Sequence, residues 1–223
     1  MPTPRVFIIR HGETEWSLNG RHTSVTELPL TENGQRRISA TGKALVGHDR
    51  LIVPSRLAHV YVSPRRRSRQ TLELLHLGCK EKYPWQETRT HGDEDVRTDA
   101  KTEVSEDIRE WDYGDYEGMV TPDIREKRKK EGLEGTWDIW RDGCPGGESP
   151  KEVTDRLDRL IDDIRTRFHA QALQHPKGDG PPGDVLLVAH GHILRAFAMR
   201  WTKKNLEDNP AMLLEAGGVG TLR

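Results

Sequence analysis

Two histidines stand in the same sequence setting. Val6-Phe-Ile-Ile9 runs into Arg10-His11-Gly12, and Val185-Leu-Leu-Val-Ala189 runs into His190-Gly191-His192. Both runs are short, apolar and rich in β-branched residues, which reads as buried strand. Each histidine is therefore expected just past the carboxyl end of a strand. In an open parallel sheet those ends lie along one edge, where ligands bind, so the two imidazoles can meet across one pocket. Either motif alone fits a solvated loop; the pair is what points to chemistry.

Arginines and acids supply the rest. Ser63-Pro-Arg-Arg-Arg-Ser-Arg-Gln-Thr71 follows a third apolar run, Ala58–Val62, and opens a helix. Arginine forks match phosphate oxygens, and a helix N-terminus favours anions. At helical spacing Arg65, Arg66, Arg67 and Arg69 cannot all face one pocket, so one or two are expected there and the others in solvent. In Arg109-Glu-Trp-Asp-Tyr-Gly-Asp-Tyr-Glu-Gly118, four acids alternate with aromatic residues, which can desolvate a carboxyl group and raise its pKa towards that of a general acid. Composition does not choose among Glu110, Asp112, Asp115 and Glu117. An imidazole nucleophile, arginines for phosphate oxygens and an acid for the leaving alcohol are the parts of a phosphoryl-transfer site.

The elements that must position these groups alternate. Thr31 caps an expected helix over Glu32–Val46, Pro64 is placed at the first position of a helix reaching Leu77, and Thr121-Pro122 starts another. Ser149-Pro-Lys-Glu152 is a capping box with proline at the first helical position. Val153, Leu157, Leu160, Ile161, Ile164 and Phe168 then form an apolar stripe. Ile193–Trp201 reads as a helix after the last strand. Glu13–Pro29 and Gln174–Asp184 read as loops, a strand or its end is expected at Ser105–Ile108, and 78–104 reads as a polar insertion or long loop. Strands alternating with helices predict a three-layer α/β/α sandwich with a mostly parallel central sheet, as a single domain over 1–223.

Arg10-His-Gly-Glu-Thr14, Ser63-Pro-x-x-Arg67-x-x-Gln-Thr71, Glu110-x-x-x-Gly114-x-x-Glu-Gly118 and His190-Gly191 together resemble the histidine phosphatase superfamily, the phosphoglycerate-mutase-like proteins. The resemblance implies that His11 is the phosphorylated nucleophile, that Arg10, Arg67 and His190 bind the transferring phosphoryl group, and that Glu110 is the proton donor and later the base. It places Thr23 and Ser24 in a loop on the substrate side, with Tyr113 and Gly191 also at the substrate. Ser17 replaces a common asparagine and Ser24 a usual glycine. Within the superfamily, Leu28-Pro-Leu-Thr31, the segment Arg109–Met119 and Trp140-Arg-Asp-Gly-Cys144 are similar to the sedoheptulose-1,7-bisphosphatases of fungi. That similarity implies removal of the 1-phosphate from a sugar bisphosphate, with a broad-specificity phosphatase or phosphoglycerate mutase as the alternative on the same site. A second phosphate needs partners, for which Arg21, His22, Arg65 and Arg141 are candidates. The resembling proteins continue through a last strand and tail where this sequence ends at Gly217–Arg223.

Composition narrows the other classes. The 223 residues carry 35 Lys+Arg against 36 Asp+Glu, a formal net charge of -1, which disfavours a strongly basic nucleic-acid binder. No apolar run approaches the ~20 residues of a membrane span, and no apolar stretch precedes Arg5, so neither membrane insertion nor a signal peptide is expected. The expected setting is cytoplasmic, with the nucleus also open, and a homo-oligomer is compatible. Cys79 and Cys144 make no disulfide framework. His190 and His192 lack an accompanying carboxylate motif with metal spacing, so neither metal nor cofactor is expected. A catalytically silent phosphate-binding or scaffold protein is disfavoured because both nucleophile and acid candidates are kept.

Overall fold

Val6–Arg10 (β1), Leu57–Val62 (β2), Lys101–Val104 (β3), Asp184–Ala189 (β4) and Val219–Leu222 (β5) pair into one sheet in the order β3-β2-β4-β1-β5. All pairings are parallel except β1 with β5. The computed structural model describes residues 3–88, 96–133, 135–175, 180–208 and 212–223.

Strand side chains alternate faces, and the core divides accordingly. Val6, Ile8, Val185, Leu187 and Ala189 join one buried cluster. Phe7, Ile9, Val60, Val62, Leu186 and Val188 join the other. The first face is covered by Thr121–Lys130 (α4), Ile139–Asp142 (α5), Pro150–Ile164 (α6) and Gly191–Trp201 (α8) through residues such as Ile124, Leu157, Ile161 and Phe197. The second is covered by Glu32–Leu45 (α2) and Arg66–Leu74 (α3) through Ile38 and Leu72. The result is the expected three-layer α/β/α sandwich. Burial contributes about 1.5–3 kcal/mol for each such Leu, Ile or Phe, and a one-residue slip would turn every side chain to the wrong face. That fixes the register opposing Arg10 to Ala189, and with it the position of the two histidines that follow.

Most expected elements occur. Thr31 caps α2 through Gly34 N, and Ser149 forms its capping box with Glu152 at the start of α6. The apolar stripe of α6 is buried, and the helix continues through a π turn over Arg165–His169 into Ala170–Leu173 (α7).

Several expectations are corrected. The loop over 13–29 contains a short helix, Glu15–Asn19 (α1), capped by Thr14 and Ser17 and closed by Gly20 at φ 77°. The helix after β2 begins two residues later than Pro64, with Arg65 at its N-cap, and ends at Leu74. The strand expected at Ser105–Ile108 lies just before it, as β3 inside the supposed insertion, and Ser105 instead caps a 3-10 turn. Cys79 and Thr98 also form an isolated bridge, while residues 89–95 of that segment lie outside the described residues. The C-terminal segment is itself the last strand: β5 runs antiparallel beside β1. Among the described residues, no helix is long and apolar enough to cross a membrane.

Candidate active site

The carboxyl ends of β1 and β4 are tied together where they leave the sheet: His11 N donates to Ala189 O at 2.8 Å. The rings of His11 and His190 then sit 5.1 Å apart, edge to face. Gly12 lets the chain turn against α2, where a Cβ would lie 2.8 Å from Ile38. Its N–H donates to Thr71 of α3 at 3.0 Å.

His11 is 6 % exposed, and its Nδ1 lies 2.7 Å from Gly12 O. A carbonyl can only accept, so Nδ1 carries the hydrogen and Nε2 is left with its lone pair. Burial, then the charges of Arg67 and Arg10, hold its pKa well below the usual imidazole value. A neutral ring with a free Nε2 is the form that can attack phosphorus.

Arg67 is fully buried. Its Nε donates to His190 Nδ1 at 3.1 Å, and its two terminal nitrogens donate to the carbonyls of Thr26, Thr23 and Ser24 at 2.9–3.1 Å. Arginine never accepts, so His190 Nδ1 is unprotonated and Nε2–H faces Ser63 Oγ at 2.6 Å. Burial, then Arg67 and His11, lower the His190 pKa well below its usual value. Arg67 and His190 are both expected on the phosphoryl group, and the structure places the His190 ring beside His11 with both of its nitrogens hydrogen-bonded within the protein.

The cavity in front of His11 holds about 250 Å³ and is lined by Arg10, Arg21, His22, Thr23, Glu110, Tyr113, Gly191, His192 and Arg195, with Met212, Leu213 and Leu214 at its apolar side. Arg10 Nη1 donates to Leu214 O at 2.9 Å, whereas its Nε is buried and meets no acceptor among the described residues. Its guanidinium lies against Gly191, where a Cβ would be 3.3 Å from Cζ.

Of the four acids, the fold selects Glu110. It is 5 % exposed, and its Oε1 accepts from Trp111 N and Ile193 N, both at 2.9 Å, while among the described residues Oε2 accepts from His192 N alone, at 3.2 Å. Burial raises its pKa, and these N–H groups with Arg67 oppose that shift without cancelling it. Glu117 does other work. Its carboxylate accepts from Ser24 N, Ser24 Oγ and Thr26 N, and so fixes the loop whose carbonyls hold Arg67. Asp112 and Asp115 stay at the turn around Gly114.

The remaining candidates divide. Arg21 and His22 line the cavity; His22 Nε2 lies 3.1 Å from Thr121 Oγ1, and burial, then His192, push its pKa down to about 4. Ser24, expected in a loop on the substrate side, donates its hydroxyl to Glu117 at 2.7 Å and so ties that loop. Arg65 pairs with Glu27 at 3.6 Å away from the cavity. Arg141 is exposed, with Nε on Asp142 at 2.8 Å and Nη2 on Thr136 O, and the fold does not bring it to the site. Arg195 and the side chain of His192 are among the cavity residues that escaped the sequence reading. Arg195 stands four residues after Gly191 on α8, the spacing that stacks side chains on one helix face, and that is the signal that could have found it.

Comparison with known proteins shows the family. The model of the family described as histidine phosphatase superfamily (branch 1) matches residues 6–91 and 86–223. Sedoheptulose 1,7-bisphosphatase of Saccharomyces cerevisiae is 35% identical, with 99% of this chain and 87% of the relative covered. An acid phosphatase of Mycobacterium tuberculosis is also 35% identical, covering 97% and 84%. The solved structure of open reading frame Rv3214 from Mycobacterium tuberculosis superposes with a TM-score of 0.66 at 30% identity, covering 99% of this chain and 91% of that one.

Proposed function

Since the chain belongs to the histidine phosphatase superfamily and is a hydrolase of phosphate monoesters, we propose that its substrate is a sugar bisphosphate, sedoheptulose 1,7-bisphosphate first among them, cleaved through a phosphohistidine. The observation that carries this reading is the distribution of charge in one cavity. Arg10, Arg21 and Arg195 line the cavity together with His11, which supplies cations for a second phosphate as well as for the one that is transferred. The 35% identity to the yeast enzyme of that name supports the same substrate.

In the first step His11 Nε2 attacks phosphorus as the ester P–O bond breaks, and protonated Glu110 gives its proton to the leaving oxygen from Oε2. In the second, the Glu110 carboxylate takes a proton from water, whose oxygen attacks phosphorus as the P–N bond breaks. Phosphate leaves and His11 Nε2 is free again. Arg10, which lines the cavity with His11, holds phosphoryl oxygens with its guanidinium, and Arg67, hydrogen-bonded to His190, stabilises the developing charge. Phosphorylated sugars are retained inside cells by their charge, which makes a cytoplasmic site of action part of the proposal. The broad-specificity alternative is favoured by one finding, the equal identity to a protein named acid phosphatase.

Phosphate release from sedoheptulose 1,7-bisphosphate, fructose 1,6-bisphosphate and 3-phosphoglycerate, with EDTA present, tests both. A preference for the seven-carbon bisphosphate that disappears in His11→Ala is expected. Similar low rates on all three would favour the broad phosphatase, and turnover surviving His11→Ala would overturn the mechanism.

A further inference from the structure

His192 supplies the acid with a backbone N–H and the cavity with a side chain. Its main-chain nitrogen donates to Glu110 Oε2, the carboxyl oxygen with fewer partners. His192 and Glu110 line the same cavity. A substrate whose leaving oxygen meets Glu110 thus brings the rest of its alcohol into the cavity that His192 lines. The reading rests on His11 and Glu110 cleaving the ester, and it asks what the same site recognises in the alcohol.

The ring offers one defined polar atom. Nδ1 lies 2.7 Å from Tyr113 Oη. Tyr113 is buried, and burial, then Glu110, raise its pKa well above the usual value, so the phenol keeps its proton. A phenol is a better donor than an imidazole N–H, and a neutral imidazole nitrogen a better acceptor than a phenol oxygen. Tyr113 therefore donates, Nδ1 accepts, and the hydrogen of the neutral ring sits on Nε2. Burial, then Arg10 and Arg195, keep the ring neutral. The rings of His22 and Trp140 pack at 5.7 and 5.4 Å, and turning the imidazole over would break the bond to Tyr113.

We infer that His192 is a specificity residue whose Nε2–H, fixed by Tyr113, donates to a hydroxyl or carbonyl oxygen on the carbon next to the phosphorylated one. The substrate class is thus a phosphate ester of a polyol or ketose, and a simple alkyl phosphate lacks the group that is read. A site built to hydrogen-bond such an oxygen discriminates against the analogue without it because the buried donor is then left unpaired.

Glycerol 1-phosphate and propyl phosphate share an ester and a carbon chain and differ in the hydroxyls, which makes them the test pair. The wild-type protein is expected to favour glycerol 1-phosphate at least tenfold in kcat/KM. His192→Leu should erase most of that ratio by falling much further on the hydroxylated ester. His192→Gln, which returns an N–H near the position of Nε2, should restore part of it, and Tyr113→Phe should weaken it. A wild-type protein without the preference, or a ratio unchanged in His192→Leu and Tyr113→Phe, overturns the inference and leaves the phosphatase reading standing. Release of phosphate from none of the sugar phosphates would overturn that reading as well.

Discussion

Glu117 touches no part of the cavity, yet its removal should disturb catalysis in a specific way. The carboxylate accepts from Ser24 N and Thr26 N at 2.8–3.0 Å and from Ser24 Oγ at 2.7 Å. The same short loop turns its carbonyls of Thr23, Ser24 and Thr26 onto Arg67. Glu117→Ala strands two backbone donors, and each unsatisfied donor costs about 1–3 kcal/mol, so a loss of about 2–6 kcal/mol of stability is expected. Burial pushes the Glu117 pKa up, but the Ser24 and Thr26 bonds outweigh it and the net shift is downward. Its contribution is therefore present above the ordinary carboxylate pKa and lost as pH falls through the lowered one.

The catalytic effect follows from Arg67. Once the loop relaxes, the guanidinium is no longer held beside His11 and His190. A loss of about 1.5–3 kcal/mol of transition-state stabilisation, comparable to removing one preorganised donor set, corresponds to roughly a 10- to 100-fold fall in kcat. Arg67 is also among the charges that keep His11 neutral. Its displacement should raise the His11 pKa and move the acid limb of the kcat/KM profile to higher pH. Glu117→Gln, which keeps one accepting oxygen, should lie between wild type and Glu117→Ala on every measure. Steady-state kinetics across pH, at a temperature where thermal melts show each variant folded, reads all three quantities. A folded Glu117→Ala with unchanged kcat and an unmoved acid limb would refute this chain from carboxylate to loop to arginine.

Gly114 lies at φ 49°, and a Cβ there would meet Pro145 O at 2.2 Å and Gly147 N at 2.3 Å. Gly114→Ala should therefore cost more than the ~1 kcal/mol of a strained backbone alone, read as a Tm lowered by several degrees; an unchanged Tm would contradict the packing described. The raised Glu110 pKa gives a pH prediction of definite sign. The first step needs the protonated carboxyl, so its rate should fall as pH rises through that raised pKa. Glu110→Gln should turn over much more slowly and lose this descending limb, and a limb of the same midpoint in the variant would assign it to another group.

The parts legible in the sequence are those where one residue type has a single physical use. Val6–Ile9 and Val185–Ala189 can only be buried strand, and Ser149-Pro-Lys-Glu152 can only start a helix. β3 and β5 escaped because each has just one strand partner. Lys101-Thr-Glu-Val104 alternates at an exposed edge, and Val219-Gly-Thr-Leu222 dilutes its β signal with glycine. Charge is legible in the same limited way: the letters show where cations are, but not what already binds them. Arg141 is taken up by Asp142 and a carbonyl, and Arg67 by three carbonyls and a histidine. Backbone carbonyls leave no trace in a sequence, so the two motif arginines look equivalent there. In the fold they are not. Arg67 has four of its five N–H groups engaged by the protein, while Arg10 keeps a buried Nε with no acceptor among the described residues. A buried donor of that kind is costly unless something arrives to take it, and an anion in front of His11 is the partner that would.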